Sequence, residues 1–460
     1  MKSDNYIKFL KDSESKCFDI KHRKTVSFNI SKYNESVEKG KNNFINLEDS
    51  KSKASNIKRE VINNLPDYLV EFEKSAIKNG IEVVWAEESH DAISFIRQLI
   101  KDTNSTKVVK SKSMTSEEID FNDIFENEGV TCQETDLGEY IVQLIGEKPY
   151  HILTPAMHKS KEDISLLFNK KFNLSKESTA EEITHFVREK LRKDFRSADI
   201  GITGANFLLA KEGAVVLTEN EGNGILSHSL PKIHIVLAGI EKILPSIKDL
   251  SLFLPLLSQH GTGQQLTVYN SIIFGPKQDN EIDGPERMIV ILLDNNRSKL
   301  YAQPIQSEAL ACIRCGACLN SCPIYRNIGG HTYNSVYSGP IGSVITPFVK
   351  DFENYSHLSF ACTMCGKCKE VCPVKIDLPK LLLYNRRDSV NKNSLSLSDK
   401  LLMKGFYKIL NSSFILNSTS FRFRNYVLSN FGKSYFGSMR VVPSIGSESF
   451  IYQWKVKFKS

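Results

Sequence analysis

The sequence predicts an α/β domain followed by a smaller, mainly helical domain that carries eight cysteines. Three observations predict it. Between about residues 64 and 297, apolar strand-like runs alternate with amphipathic helical stretches, the pattern of a parallel or mixed sheet flanked by helices. Eight of the ten cysteines fall into two tight groups, near residues 312 and 372. Around those groups, over residues 298–380, the strand pattern gives way to helix-like segments. A chain of 460 residues has room for two or three domains, at ~100–200 residues each.

Taken in order, residues 1–63 are polar and charged with scattered apolar positions and read as a loosely packed helical arm. The α/β domain, 64–297, opens with the strand IEVVWA, a helix around Ile93–Ile100, the strand KVVKS and a helix around Ile119–Phe125. A strand near Thr131–Thr135, the strand HILTPA and a charged helix over Lys161–Lys171 follow. Ser178 with Glu181 has the spacing of a capping box and opens a helix running to about Phe195. Next come strands in DIGITGANFLLAKEGAVVLTENEGNG, KIHIVLAGI, LTVYNSIIFG and RMIVILLD, with one more helix over Glu241–Gln259.

The chain carries a formal charge of +7, and its location matters more than its size. Residues 381–460 hold thirteen Lys and Arg against three Asp and Glu, a net +10, which leaves the first 380 residues at −3. The main body is therefore not built to bind nucleic acid. The basic extension, dotted with aromatics such as Phe406, Phe421 and Trp454, has three readings: a solvated tail, a dock for an acidic partner subunit, or a peripheral contact with an anionic membrane. No run approaches the ~18 apolar residues of a membrane span, and the N-terminus lacks the apolar core of a secretory signal. The expected location is cytoplasmic, with the inner membrane face as the one alternative.

The cysteines are the most specific signal. Cys312, Cys315, Cys318 and Cys322 precede Pro323, and Cys362, Cys365, Cys368 and Cys372 precede Pro373. A 4Fe–4S group needs four soft thiolates, and three cysteines at this spacing supply three of them from one turn of chain. The fourth, carried away by its proline, typically serves the other group. The expected sets are therefore Cys312, Cys315, Cys318 and Cys372 for one 4Fe–4S cluster, and Cys362, Cys365, Cys368 and Cys322 for a second. A structural zinc site uses four ligands in all, so it does not account for eight cysteines in duplicate spacing. Cys17 and Cys132 read as inert thiols.

In the α/β domain the segment GITGAN…ENEGNG is the candidate pocket. Gly204 and Gly222 would let backbone N–H groups converge on an anion, with Asn206 and Asn223 orienting it and Glu219 or Glu221 as a base. Lys110 and Lys112 would hold a carboxylate or simply be solvated. His234 reads first as a core histidine and second as a catalytic group, and His158 is a further candidate. Turn glycines and surface charges are the alternative for the whole set. No G-x-G-x-x-G opens a βαβ unit, so a flavin or nicotinamide is not evident in this chain.

The chain resembles the lactate-utilization protein B family. The resemblance runs through VVKSKSM (108–114), ETDLGEYIVQL (134–144), SADIGITGANF (197–207), VVLTENEGN (215–223), LPKIHIVLAGIEKILP (230–245), CIRCGACLNSCPIYRNIGGHTY (312–333) and CGKCKEVCPVKID (365–377). It implies a lactate-utilization (LUD) domain, similar in fold to CoA-transferase and sugar-phosphate isomerase domains, followed by an α-helical ferredoxin domain with two 4Fe–4S clusters. It also implies a subunit of a multi-component system that oxidises L-lactate to pyruvate, with the other subunits of that complex as partners and a small 2-hydroxy acid as substrate. Two further functions stand beside it: a non-catalytic ferredoxin-like adaptor of another oxidoreductase, and an acyl- or phosphate-ester enzyme.

Overall fold

Among the described residues, ten strands are laid down in chain order: β1 (Glu82–Ala86), β2 (Lys107–Lys110), β3 (Thr131–Glu134), β4 (Ile200–Thr203), β5 (Phe207–Leu209), β6 (Ala214–Glu219), β7 (Ile233–Gly239), β8 (Ile243–Leu244), β9 (Tyr269–Ile273) and β10 (Arg287–Leu293). In the computed structural model, described for residues 3–392, 397–418, 420–436 and 441–458, six of them form a parallel sheet in the order β1-β10-β7-β4-β2-β3. The other four form a mixed sheet, β8-β5-β6-β9. The expected α/β domain is present.

The apolar runs IHIVLAG and RMIVILL explain the centre of the parallel sheet. A strand covered on both faces needs apolar residues on both, so it reads as a continuous run rather than an alternation. Successive side chains then feed two different cores. Ile235 and Leu237 of β7 and Ile289, Ile291 and Leu293 of β10 pack with Ile93, Ile96, Leu99, Phe121 and Phe125. Val236, Ala238, Met288, Val290 and Leu292 pack on the opposite face with Leu65, Leu69, Phe72 and Ala76 of the helix Leu65–Lys78, and with Leu208, Val215 and Ile243 of the second sheet.

The structure corrects four sequence expectations. The N-terminal arm is not loosely packed: Val26 and Ile30 are fully buried, and share a core with the cysteine region. The helix Leu47–Asn63 also ties in, with Lys51 donating to the Glu370 carbonyl at 3.0 Å and Lys58 to the Glu241 carbonyl at 2.8 Å. Glu241–Gln259 is not one helix. Ile243 and Leu244 are fully buried and pair with Leu208 and Leu209, so burial takes them into a strand, and the helix starts only at Leu250. HILTPA is a series of turns, where Leu153 N–H and Thr154 N–H donate to His151 Nδ1 rather than to a neighbouring strand. Finally, the capping box is Thr179 with Glu182, one residue further on.

The chain divides into two compact units, residues 2–391 and 392–460. The helix Leu378–Asn391 therefore carries the first unit past residue 380. The second unit contains the helices Leu397–Leu410, Ser413–Ser418, Phe421–Phe436 and Phe450–Phe458. Among the described residues, no helix is long and apolar enough to cross a membrane.

Candidate metal centre and its α/β support

The two cysteine motifs fold alike. In each, the residue two after the first cysteine takes a left-handed backbone, Arg314 at φ 61° and Met364 at φ 57°, and Gly316 and Gly366 follow at φ 76° and 83°. Two left-handed positions in three residues curl the loop tightly. Arg314 N–H donates to Cys312 Sγ at 3.4 Å and Met364 N–H donates to Cys362 Sγ at 3.3 Å, the same contact in both copies.

The curled loops gather the thiols into two groups, and the groups are crossed. Cys312, Cys315, Cys318 and Cys372 line one small cavity, with Ile152, Ile313, Ile341 and Val374 around them. Burial first, then repulsion from Cys312 and Cys372, pushes up the Cys315 thiol. Burial raises Cys318 too, followed by Cys312, Cys315 and Cys372, with a smaller effect from Cys368 where the two groups approach. In the other group, burial raises the Cys322 thiol, with Cys362 and Cys365 as its charged neighbours. Cys368 is pushed up to about 12 by burial and then by Cys362, Cys322 and Cys365. Four thiols drawn together out of water repel one another once ionised, and a cationic iron core relieves that repulsion. The donor sets fit a 4Fe–4S group in chemistry and number. Their surroundings differ: Cys315 and Cys372 are buried, whereas Cys365 is exposed.

The α/β domain holds this region through the carboxyl edge of its parallel sheet, the edge where open α/β sheets ordinarily place ligands. Glu241 and Arg297 follow β7 and β10 there. Arg297 donates to Glu241 at 2.6 Å and to both oxygens of Glu118 at 2.9 and 2.7 Å. The cysteine region contributes Tyr337, which donates to Glu118 at 2.6 Å, and Arg314, which donates to Glu241 at 3.1 Å and lies over the Tyr337 ring at 4.6 Å. A buried ion-pair network thus occupies the edge and docks the cysteine loop.

The α/β candidates divide. Glu219 accepts from the N–H groups of Gly224 and Ile225, and burial raises its carboxyl above the usual range. Glu221 and Asp136 lie within electrostatic reach of Glu219, and both of them with Lys112 within reach of the half-buried Tyr33. Lys112 donates to the Leu153 carbonyl at 2.8 Å. Asn223 donates to Thr135, Asn206 accepts from the Thr218 N–H, and Gly204 lies against Ser113. Lys112, Glu219 and Glu221 thus share one electrostatic neighbourhood with Tyr33 and Asp136, which sequence reasoning missed. Tyr33 arrives from the N-terminal helix Ile20–Lys41, so no local pattern marked it.

His234 is elsewhere. It is fully buried in β7, hydrogen-bonded to Thr203 at 2.8 Å, the core histidine that its apolar strand suggested. Lys110 is a correction. It is neither solvated nor open to a ligand: it is fully buried and bonded to Glu117 at 2.8 Å and Glu134 at 2.7 Å, because both carboxylates close over the end of β2. Glu139 sits beside them. Burial, then the Glu134 and Glu117 charges, raises its carboxyl well above the usual range, against the pull of Lys110. As a carboxylate Glu139 has no hydrogen-bond donor, and Oε2 of Glu134 has none either; a proton on Glu139 supplies one.

A raised folded-state pKa contributes stability that is complete below the unfolded value and is lost as pH rises through the folded one. The protein is therefore expected to lose stability as pH climbs past the ordinary carboxylate range. Glu139→Gln, which keeps the donor without the titration, should flatten that dependence in melting curves taken across pH. An unchanged slope would exclude Glu139 as its source.

An α/β domain that carries a helical region with eight converging cysteines defines an iron–sulfur protein. Residues 308–376 match the 4Fe-4S dicluster domain family and residues 69–293 match the LUD domain family. The chain is 44% identical over 363 residues to lactate utilization protein B of Bacillus velezensis, with 78% of this chain and 76% of the relative covered. It is 43% identical, at the same coverage, to lactate utilization protein B of Bacillus subtilis (strain 168). A protein of Escherichia coli (strain K12) described as an uncharacterized electron transport protein is 39% identical, with 78% of this chain and 75% of the relative covered. The chain belongs to the lactate utilization protein B family.

Proposed function

We propose that this chain is the iron–sulfur electron-transfer subunit of a multi-component system oxidising L-lactate to pyruvate, and that it holds two 4Fe–4S groups. Cys312, Cys315, Cys318 and Cys372 hold one; Cys362, Cys365, Cys368 and Cys322 hold the other. When bound, each such group takes up and passes on one electron. The observation that carries this reading is the crossed grouping of the eight cysteines, which interlocks two thiolate sets in one helical region. The names of the relatives support lactate as the substrate of the system.

The chain's own residues divide the work. Cys315 and Cys372 are withdrawn from solvent, and the ion pair of Arg314 with Glu241 holds the Cys315 loop against the α/β domain. Cys365 is exposed, so the second set lies where a partner subunit can approach. In the α/β domain, Lys112 with Tyr33 offers a positive and a hydroxyl contact to the carboxylate of a small 2-hydroxy acid, and Glu219 or Glu221 offers a base. Gly204, Asn206 and Asn223 frame that patch. The removal of two electrons from lactate needs a primary acceptor, and a partner subunit is assigned that role. The basic extension is assigned to partner or membrane docking.

The test is anaerobic. With its partner subunits present, L-lactate should bleach the visible absorbance and give reduced-iron EPR signals, while D-lactate leaves both unchanged. A spectrum that dithionite reduces and L-lactate does not would overturn the lactate reading and leave the ferredoxin-like adaptor in its place.

A further inference from the structure

Among the described residues, one group of potential metal ligands lies outside the cysteines. Glu147, His158 and His331 each present a ligand atom, and these atoms lie within 4.8 Å of one another. Three separate segments bring them together. Glu147 directly follows the helix Leu137–Ile145 and its left-handed cap Gly146. His158 closes the turns after HILTPA and stacks on the Tyr150 ring, with centroids 4.5 Å apart. His331 comes from the loop between the two cysteine motifs, edge-on to His158 at 4.9 Å.

The Gly329–Gly330 pair of NIGGHTY explains how that loop comes so close. A Cβ on Gly329 would sit 1.9 Å from the Tyr150 hydroxyl, and one on Gly330 would sit 1.8 Å from the Tyr150 carbonyl. Gly329 also has φ 75°, a conformation that favours glycine. Only this pair allows the backbone to press onto Tyr150 and deliver His331 to His158. Neither the cysteine sets nor the Lys112 patch uses this close approach.

We propose that Glu147, His158 and His331 form a binding site for a zinc-class divalent cation. Two imidazoles and a carboxylate are the protein ligands of an open zinc site, which leaves a fourth tetrahedral position to water or a ligand oxygen. His331 Nε2 pairs with the Lys148 carbonyl at 2.7 Å. Such a bond is the usual outer-shell partner of a metal-bound histidine, because it fixes the ring and frees the other nitrogen. His158 has a buried Nδ1 without a partner, while its Nε2 meets Glu147 at 2.6 Å. The other Glu147 oxygen accepts from Lys159 at 2.7 Å. The cation would take the place of the direct His158–Glu147 bond. His158 also lines a surface cleft, together with His22, Asp19 and Asp163.

The experiment uses the full-length, iron-loaded chain, washed with chelator and then titrated anaerobically with zinc. Bound zinc is quantified and read by X-ray absorption at the zinc edge, where iron does not interfere. The expected result is one zinc per chain with a nitrogen and oxygen shell at about 2.0–2.1 Å, lost in His158→Ala and in His331→Ala at unchanged iron content. A sulfur shell at about 2.3 Å would place the zinc on cysteines and overturn the proposal. So would no uptake, or full uptake in both variants. Should the histidine variants lose iron or helical signal, Glu147→Gln decides: undiminished zinc overturns the site, and lost zinc at unchanged iron supports it.

Discussion

Cys372→Ser is expected to cost the protein about half of its iron, and to remove the same 4Fe–4S signal that Cys315→Ser removes. The two positions lie in different motifs, so a model of one cluster per motif predicts the opposite pairing. The crossed grouping follows from the fold. Cys372 lines the cavity of the first motif and its thiol is raised by burial and by the charge of Cys312, while that of Cys322 is raised by burial and by Cys362 and Cys365. Cys322→Ser should accordingly match Cys365→Ser. Iron analysis with EPR of the dithionite-reduced variants reads both pairings, and a Cys372→Ser spectrum matching that of Cys365→Ser would refute them.

Arg297→Met is expected to destabilise the protein by roughly 3–5 kcal/mol, the cost of breaking a buried ion pair from one side. Arg297 and both of its carboxylate partners are no more than 2% exposed, so solvent does not dilute the effect. Among the described residues, Glu118 would keep only Tyr337 and Asn295 as side-chain donors, and Glu241 only Arg314. Those bonds join the α/β edge to the cysteine loop, so the loss should also speed iron release. Urea unfolding of the iron-loaded protein gives the number. A loss below ~1 kcal/mol would mean that the network is not what holds the two regions together.

What the sequence made legible was periodic or closely spaced. β7 and β10 are unbroken apolar runs because both of their faces are covered, and the cysteine motifs carry their chemistry in their spacing. What it concealed depends on long-range partners. Glu118 and Arg297 are 179 residues apart, and nothing near Lys110 announces that Glu134 will neutralise it. Val26 and Ile30 sit four apart on a helix that otherwise looks solvated, and only packing against the distant helix Leu250–Gly261 and the cysteine region makes them core. The two-residue strand β8 is too short for any alternation to show. At the candidate site, Glu219, Glu221 and Lys112 were legible as polar groups beside glycines, whereas Tyr33 and Asp136 join them only through tertiary packing. His331 was visible within NIGGHTY, but its neighbours Glu147 and His158 lie far back in the chain.

The measurement that bears most directly on the relay is EPR of the wild-type protein during stepwise anaerobic reduction. The crossed cysteine sets interlock, and Cys318 of one feels Cys368 of the other. Two reduced 4Fe–4S centres are expected, with spectra that broaden and split through mutual interaction as the second is reduced. Two signals that simply add, or a single centre at full reduction, would contradict this expectation.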